Sequence, residues 1–343
     1  MHKEPIILGI ESSCDDTSAA ILKGRKVLSN EIANQHIHSL YGGVVPEIAS
    51  REHQKNIVPV VDIAIKKAGI KKTDIDAVAF TKGPGLMGSL LVGNSFAKSF
   101  AMGMQIPIIS INHMKAHILA HFIDEGNKQP NFPFLCLTVS GGHTQIVQIN
   151  SFNEMNIIGT TIDDAAGEAF DKSAKILKLE YPGGPLIDKY AKQGNKNAFK
   201  FGKPKVKNLD FSFSGLKTSI LYKINNEVKK NTNFIEENIE DLCASIQHSI
   251  INLLLEKLEK AIEQTQIKQI AIAGGVSANS YLRSRLQHLS EEKKYKIYIP
   301  KFEYCTDNAA MIAIAGYYKY LEKEFSNLDE ISLASLKLSL IHI

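Results

Sequence analysis

The segment His113-Met114-Lys115-Ala116-His117 sets two imidazoles four residues apart. On a helix that spacing puts both rings on one face, one turn apart, where they can share a metal ion. A zinc peptidase of the H-E-x-x-H type needs a glutamate at the second position as general base. Here it is Met114, which cannot take a proton. A metal held by this pair therefore serves another purpose, or its base comes from elsewhere in the chain. A third ligand is needed, and Tyr304–Met311 offers Asp307 at the expected start of a helix. Simple helix capping, with Thr306 or Asp307 as the cap, is the competing role. Two histidines and a carboxylate leave coordination positions open, as in non-haem iron(II) and catalytic zinc sites, and the ligand set does not choose between them.

Four glycine-bearing segments have the composition of backbone cradles for a phosphate: Gly83-Pro84-Gly85, Val139–Thr144, Tyr181–Pro185 and Ala273–Asn279. Glycine lets the main chain approach a ligand closely, and a helix N-terminus just after it favours an anion. No G-x-x-x-x-G-K-[ST] loop is present, so the P-loop reading fails. Asp164, Glu168 and Asp171 share one helix face at spacings of four and three. Such acids suit a helix N-terminus, and the apolar residues among them favour a ligand role for Asp171. Lys192, Lys196, Lys200, Lys203, Lys205 and Lys207 lie in a stretch without an acid from Ala191 to Leu209. This suits phosphate contacts on RNA, or a solvated loop.

These groups need a scaffold, and the chain alternates short apolar runs with helical patterns, as α/β folds do. Strands are expected at Ile6–Ile10, Thr17–Leu22, Ala77–Thr81, Pro107–Ile111, Phe134–Val139, Thr144–Ile149 and Gln269–Ala273. Helices are expected at Pro46–Ala68, Leu86–Met104, Ala165–Leu177, Pro185–Ala191, Gly215–Ile224, Ile239–Glu263, Ser277–Leu289 and Asp307–Tyr320. Small residues crowd Leu86–Met104, which means close packing inside the domain or against another subunit. The strand–turn–strand pattern at the start returns at Phe134–Ile149, which suggests two similar lobes. Lobes of this kind commonly clasp a phosphorylated ligand between their turns. The boundary is expected near Asp124–Pro133.

A length of 343 residues is about two domains' worth. The composition, 44% hydrophobic and 22% charged, excludes a disordered or collagen-like chain. No apolar run is long enough for a membrane span. The formal net charge of +4 is too mild to announce nucleic-acid binding by itself. Cys14, Cys136, Cys243 and Cys305 form neither a metal pair nor a disulfide framework. A cytoplasmic location is expected.

Taken together the motifs are specific. They are Gly9–Asp15, Tyr41–Glu47 with Ala49-Ser50-Arg51 and His53, Gly83–Leu86, His113-x-x-x-His117, Ser140–Thr144, Asp163–Asp171, Phe211–Lys217, Ala273–Asn279 and Cys305–Met311. In this order, from about Ile7 to Gly316, the chain resembles the bacterial-type tRNA N6-adenosine threonylcarbamoyltransferase family, formerly called O-sialoglycoprotein endopeptidases. Two departures are visible. Met-Lys-Ala separates the histidines where the family has a glycine before the second, and Glu11-Ser12-Ser13 stands where Glu-Thr-Ser is usual.

The resemblance implies a two-lobed α/β fold of the actin, sugar-kinase and Hsp70 type, a duplicated ribonuclease H-like unit with an inter-lobe cleft. Residues 1–128 would form one lobe, 129–325 a second with a helical insertion, and 326–343 a tail of unassigned role. It implies transfer of threonylcarbamoyl from threonylcarbamoyl-AMP to N6 of adenosine 37, in the anticodon loop of tRNAs reading codons that begin with A. His113, His117 and Asp307 would hold one divalent metal, iron(II) before zinc(II). Thr138, Val139, Ser140, Gly141, Gly142, Asp171, Gly184, Asp188 and Asn279 would hold the donor. Glu11 is the candidate general base, and Lys203, Lys205 and Lys207 are the candidate tRNA contacts. A smaller inactive paralogue and an ATPase subunit would be partners, with no membrane involved. The alternatives are a metallopeptidase, after the older name, and a non-catalytic nucleotide-binding scaffold.

Overall fold

The computed structural model describes residues 4–126, 128–204 and 206–338. Lys205 and the last five residues of the expected tail lie outside the described residues. In chain order the first elements are β1 (Ile6–Glu11), β2 (Thr17–Lys23), β3 (Lys26–Ala33), α1 (Pro46–Lys67), β4 (Ala77–Gly83), α2 (Met87–Met104), β5 (Ile108–Asn112) and α3 (His113–Leu119). Next come β6 (Phe134–Val139), β7 (Thr144–Ile149), β8 (Met155–Thr160), α4 (Ala166–Ile176), α5 (Gly183–Ala191), α6 (Ser214–Val228), α7 (Phe234–Glu237) and α8 (Ile239–Thr265). The last are β9 (Gln269–Ala273), α9 (Ser280–Lys293), β10 (Lys296–Tyr298) and α10 (Ala309–Leu321).

Two compact units result: Met1–Gln129 with Pro300–Ile343, and Pro130–Ile299. Each contains one five-stranded sheet, ordered β3-β2-β1-β4-β5 in the first and β8-β7-β6-β9-β10 in the second. The first three strands of each run antiparallel to their neighbours, and the last two are added in parallel. The two sheets thus share one topology in the same chain order, and the repeat expected from two strands extends to five. The central strands β1 and β6 are buried at every residue, as strands covered on both faces must be. The strands that the sequence pattern passes over, β3, β8 and β10, are edge strands or beside one. The exposed Lys26 and the half-buried Asn30 and Glu31 blur the apolar signal of β3.

Helix α10 departs from the expected division at residue 325. It packs on β1, β2 and β4 of the first sheet. The reason is its sequence, Ala-Ala-Met-Ile-Ala-Ile-Ala-Gly, buried at all eight positions from Ala309 to Gly316. A Cβ on Gly9 of β1 would lie 2.3 Å from the Ala309 carbonyl oxygen, so helix and strand are nearly in backbone contact. The small residues of α2 are explained within the first unit as well. Ser89, Gly93, Ala97 and Ala101 are buried, and a Cβ on Gly93 would lie 2.3 Å from the Ser12 hydroxyl. The outward stripe of α2 is Met87, Leu91, Ser95 and Met102.

Candidate functional site

Helix α3 begins where β5 ends, and Asn112 is its N-cap. The Asn112 Oδ1 accepts from the amides of Met114 and Lys115 at 2.9 and 3.2 Å. The first turn thus fixed carries His113, and His117 follows one turn later. Their Nε2 atoms lie 3.2 Å apart, and Asp307 Oδ1 lies 3.3 Å from the first and 3.2 Å from the second. Asp307 is free for this contact because Asn308, not Asp307 or Thr306, caps α10, accepting from the Met311 amide at 3.0 Å. Both histidines are buried, with His117 only 2% exposed.

The donor set fits a divalent ion. Metal–ligand bonds of about 2.1 Å separate neighbouring ligand atoms by about 3.0 Å at octahedral angles and about 3.4 Å at tetrahedral ones. The three observed separations fall in that range. Two ring lone pairs and a carboxylate converging so closely repel one another unless something positive lies among them. Met114 is 3% exposed in the core, so no acid stands at the position a peptidase of the H-E-x-x-H type requires.

Glu11, at the end of β1, is 0% exposed. It accepts from the Thr81 hydroxyl at 2.6 Å, the Ser13 amide at 2.5 Å and His113 Nδ1 at 3.0 Å. Ser13 Oγ lies 3.2 Å from the same Nδ1. Burial alone would raise the Glu11 carboxyl, but His113 and these hydrogen bonds hold it below the usual carboxylate range. Burial likewise opposes charge on His113, yet Asp307 and Glu11 outweigh it and hold the ring well above the ordinary histidine value. Asp307 is held low, its burial overcome by the same histidines. A general base must reach the proton it removes. The base role expected for Glu11 does not suit a fully buried carboxylate already engaged by three donors. Its geometry instead keeps a proton on His113 Nδ1 and points Nε2 at Asp307 and His117. Asp16, nearby in sequence, is pushed up to about 7, chiefly by burial.

The expected donor-binding residues lie in the second unit. Thr138 and Val139 are buried in β6, so the exposed part of that segment is the turn. There the Ser140 amide donates to the His143 carbonyl at 2.8 Å. Gly141 and Gly142 are exposed, and a Cβ on either would meet nothing within 4 Å. Gly274, at φ +87°, closes the parallel turn after β9 so tightly that a Cβ would lie 2.5 Å from the Val139 carbonyl oxygen. Asp171 Oδ1 accepts from the Gly183 and Gly184 amides at 2.9 and 3.3 Å. Those amides are therefore engaged within the chain, and the Tyr181–Pro185 segment is a docked helix start. Burial pushes the Asp171 carboxyl up, and the two amides act against it. Asp164 and Glu168, its expected companions, pair with Lys172 instead.

Asp188 and Asn279 both meet the start of α9. Asp188 accepts from the Ser280 hydroxyl at 2.8 Å, and Asn279 caps α9 through the Leu282 amide while its Nδ2 donates to Gln247 at 2.7 Å. Beside them is a cavity of about 300 Å³, lined by Lys192, Lys196, Gln247, Ser280 and Tyr281 among others. The lysine segment borders another cavity, of about 490 Å³, where Lys203 and Lys207 meet Lys257 and Lys260 of α8. Lys203 is paired with Glu256. Ser13, Thr81, Asn112, Gln247 and Ser280 are site neighbours that the sequence reading missed. Of these only Asn112 carried a readable signal, an N-cap residue immediately before the first histidine.

The comparisons bear on what this arrangement belongs to. A family model described as TsaD: tRNA N6-adenosine threonylcarbamoyltransferase matches residues 26–314. A protein of that name from Christiangramia forsetii is 62% identical over 322 residues, which cover 94% of this chain and 95% of the relative. Another from Riemerella anatipestifer is 60% identical over 338 residues, covering 98% and 99%. Among solved structures, full-length HypF in its phosphate- and nucleotide-bound form has a TM-score of 0.60 at 14% identity, over 94% of this chain and 47% of that one. The activator of the 2-hydroxyisocaproyl-CoA dehydratase from Clostridium difficile has a TM-score of 0.51 at 15% identity, over 94% and 98%. The distant structures speak for the fold alone. With the near relatives matching almost end to end, and the histidine pair set against Asp307 as described, the chain belongs to the tRNA N6-adenosine threonylcarbamoyltransferase family.

Proposed function

We propose that this protein transfers the threonylcarbamoyl group from threonylcarbamoyl-AMP to N6 of the adenosine beside the anticodon in tRNAs reading codons that begin with A. The observation that carries the reading is the convergence of His113, His117 and Asp307 within a chain of this family. The N6 amine is a poor nucleophile, because its lone pair is delocalised into the ring. In the reaction N6 attacks the carbamoyl carbon, the bond from that carbon to the phosphate oxygen breaks, AMP leaves, and N6 gives up one proton. A divalent metal on His113, His117 and Asp307, iron(II) before zinc(II), would supply Lewis acidity toward the donor. Glu11, Ser13 and Thr81 would hold His113 in the tautomer that binds it.

In the second unit, the open Ser140–Gly142 turn would receive the phosphate, with backbone amides matching the charge of the leaving group. Asp171, Gly184, Asp188 and Asn279 would hold the rest of the adenylate, with Thr138 and Val139 anchoring the turn in the sheet. The test is a reconstituted assay with threonylcarbamoyl-AMP, unmodified tRNA and metal analysis of the same preparation. Threonylcarbamoyl-adenosine forming in proportion to bound metal is the expected result, and formation independent of metal rejects the metal's part.

The anticodon loop presents its base single-stranded, so no duplex has to be opened. Lys203 and Lys207, with Lys205, would contact tRNA phosphates. Changing Lys203 and Lys207 to alanine is expected to weaken tRNA binding and lower its log–log salt slope by about one for each phosphate no longer neutralised. An unchanged slope removes this segment from the interface. The smaller paralogue would dock on the outward stripe of α2, where Met87, Leu91 and Met102 are exposed. Leu91→Asp is expected to leave the chain folded and abolish co-elution with that paralogue; full co-elution places the contact elsewhere. The ATPase subunit would join the same assembly, and the tRNA substrate would place it in the cytoplasm. No helix among the described residues is long and apolar enough to cross a membrane.

A further inference from the structure

The segment after α10 has no part in the reading above, yet it is fastened to the first unit at several successive points. The Ser326 amide donates to the Ile108 carbonyl at 2.9 Å, at the start of β5. Farther on, Lys98 of α2 donates to the Glu330 carbonyl at 2.6 Å, and the Glu330 carboxylate pairs with Lys82. The Leu333 amide donates to the Lys82 carbonyl at 2.9 Å, and the Gly85 amide donates to the Ala334 carbonyl at 3.1 Å. The segment passes so close to the Gly83-Pro84-Gly85 turn that a Cβ on Gly83 would lie 2.0 Å from the Leu333 carbonyl oxygen. That turn, a candidate phosphate cradle by composition, is thus a seat for the chain's own C-terminal segment.

The last fastening reaches the histidines. Asn112 Nδ2 donates to the Lys337 carbonyl at 3.0 Å, while Oδ1 of the same side chain caps the first turn of α3. Both ends of one amide are used, so the segment fixes the plane of the group that caps the histidine helix. Helix α3 has only seven residues, too few to be stable without its caps and packing. A second route runs through the turn. The Leu86 amide, next to Gly85, donates to the Ser13 carbonyl at 2.7 Å, and Ser13 Oγ lies 3.2 Å from His113 Nδ1.

We propose that residues 326–338 are a positioning strap for helix α3, acting through the Lys337 carbonyl on Asn112. The strap orders the first turn of α3, and Asn112 is a positioning residue rather than a catalytic one. That ordered turn also tightens metal binding, a consequence that rests on the reading of His113 and His117 as metal ligands.

The test is a chain ending at Ser335, which loses the Lys337 carbonyl together with the buried Leu338 and keeps the fastenings from Ser326 to Ala334. Amide hydrogen exchange at Met114 and Lys115 is expected to quicken between about two- and tenfold, the range one intramolecular hydrogen bond is worth. Affinity for cobalt(II) added alone is expected to fall by a similar factor. Asn112→Ala should reproduce both changes, and truncation on top of it should add nothing. Unchanged exchange at Met114 and Lys115, or a truncation effect of full size in the Asn112→Ala background, overturns the proposal. Should the shortened chain fail to fold, Asn112→Asp decides. It keeps the acceptors for both amides and loses the donor to Lys337, so exchange at residues 336–338 must quicken, and unchanged exchange there overturns the strap. His113→Ala separates the two readings. Cobalt retained by that variant rejects the metal assignment, while the exchange at α3 still decides the strap.

Discussion

His117→Ala protein is expected to fold, to bind no divalent metal at the proposed site and to lose threonylcarbamoyl transfer by about 10³-fold or more. That magnitude corresponds to the several kcal/mol of charge stabilisation that a Lewis acid supplies. His113→Ala loses as much activity and also loses stability, because the two rings differ in what stands behind them. Among the described residues His117 Nδ1 is buried without a partner, whereas His113 Nδ1 faces the fully buried Glu11. Removing His113 strands that carboxylate, at a cost of about 3–5 kcal/mol. The sign with pH follows. In the parent, the depressed Glu11 carboxyl contributes stability above its unfolded value and loses it as pH falls through the folded one. In His113→Ala burial acts without the cation, the carboxyl rises, and the deficit shrinks as the solution is acidified. Adding Glu11→Gln to His113→Ala is therefore expected to restore most of the melting temperature at neutral pH and none of the activity. Melting curves beside the transfer assay check both halves. Full transfer by metal-free His117→Ala protein would refute the assignment of the three ligands.

Gly142→Val is expected to leave the melting temperature within the range of a neutral surface change and lower kcat/KM for threonylcarbamoyl-AMP by about 10²-fold or more. The reason is what surrounds the position. Gly142 is exposed, and a Cβ there would meet no atom of the described residues within 4 Å, so a side chain has room at this position. The valine would occupy the space proposed for the donor phosphate beside the backbone amides of Gly141 and Gly142. Gly274→Ala would not answer the same question, since its Cβ would strike the Val139 carbonyl and any loss of activity would follow from damage to the turn. Unchanged kcat/KM in the Gly142→Val protein would remove this turn from the donor site.

How much was legible beforehand varies with the kind of signal. The β6–turn–β7 unit, the i, i+4 histidine pair and the N-terminal repeat are local patterns, and β6 and β7 lie where the alternation of residue types predicts them. The edge strand β5 was legible from its apolar run, whereas β3, β8 and β10 were not; residues such as Lys26 and Glu31 in β3 suit solvent on one side and carry no apolar run.

By itself the sequence determined that the chain is α/β and built on a repeated unit, that His113 and His117 share a helix face, and through its motifs which family it belongs to. Periodicity and spacing act over a few residues, so they are readable in any short window. Only the tertiary structure decided that α10 joins the first sheet, that Asn308 takes the cap and frees Asp307, and that Glu11 stands behind His113. The same holds for the strap from Ser326 to Leu338, whose contact with Asn112 spans 225 residues of chain. Contacts at that separation are set by which faces pack and which buried polar groups must find partners, and no local pattern in the sequence encodes them.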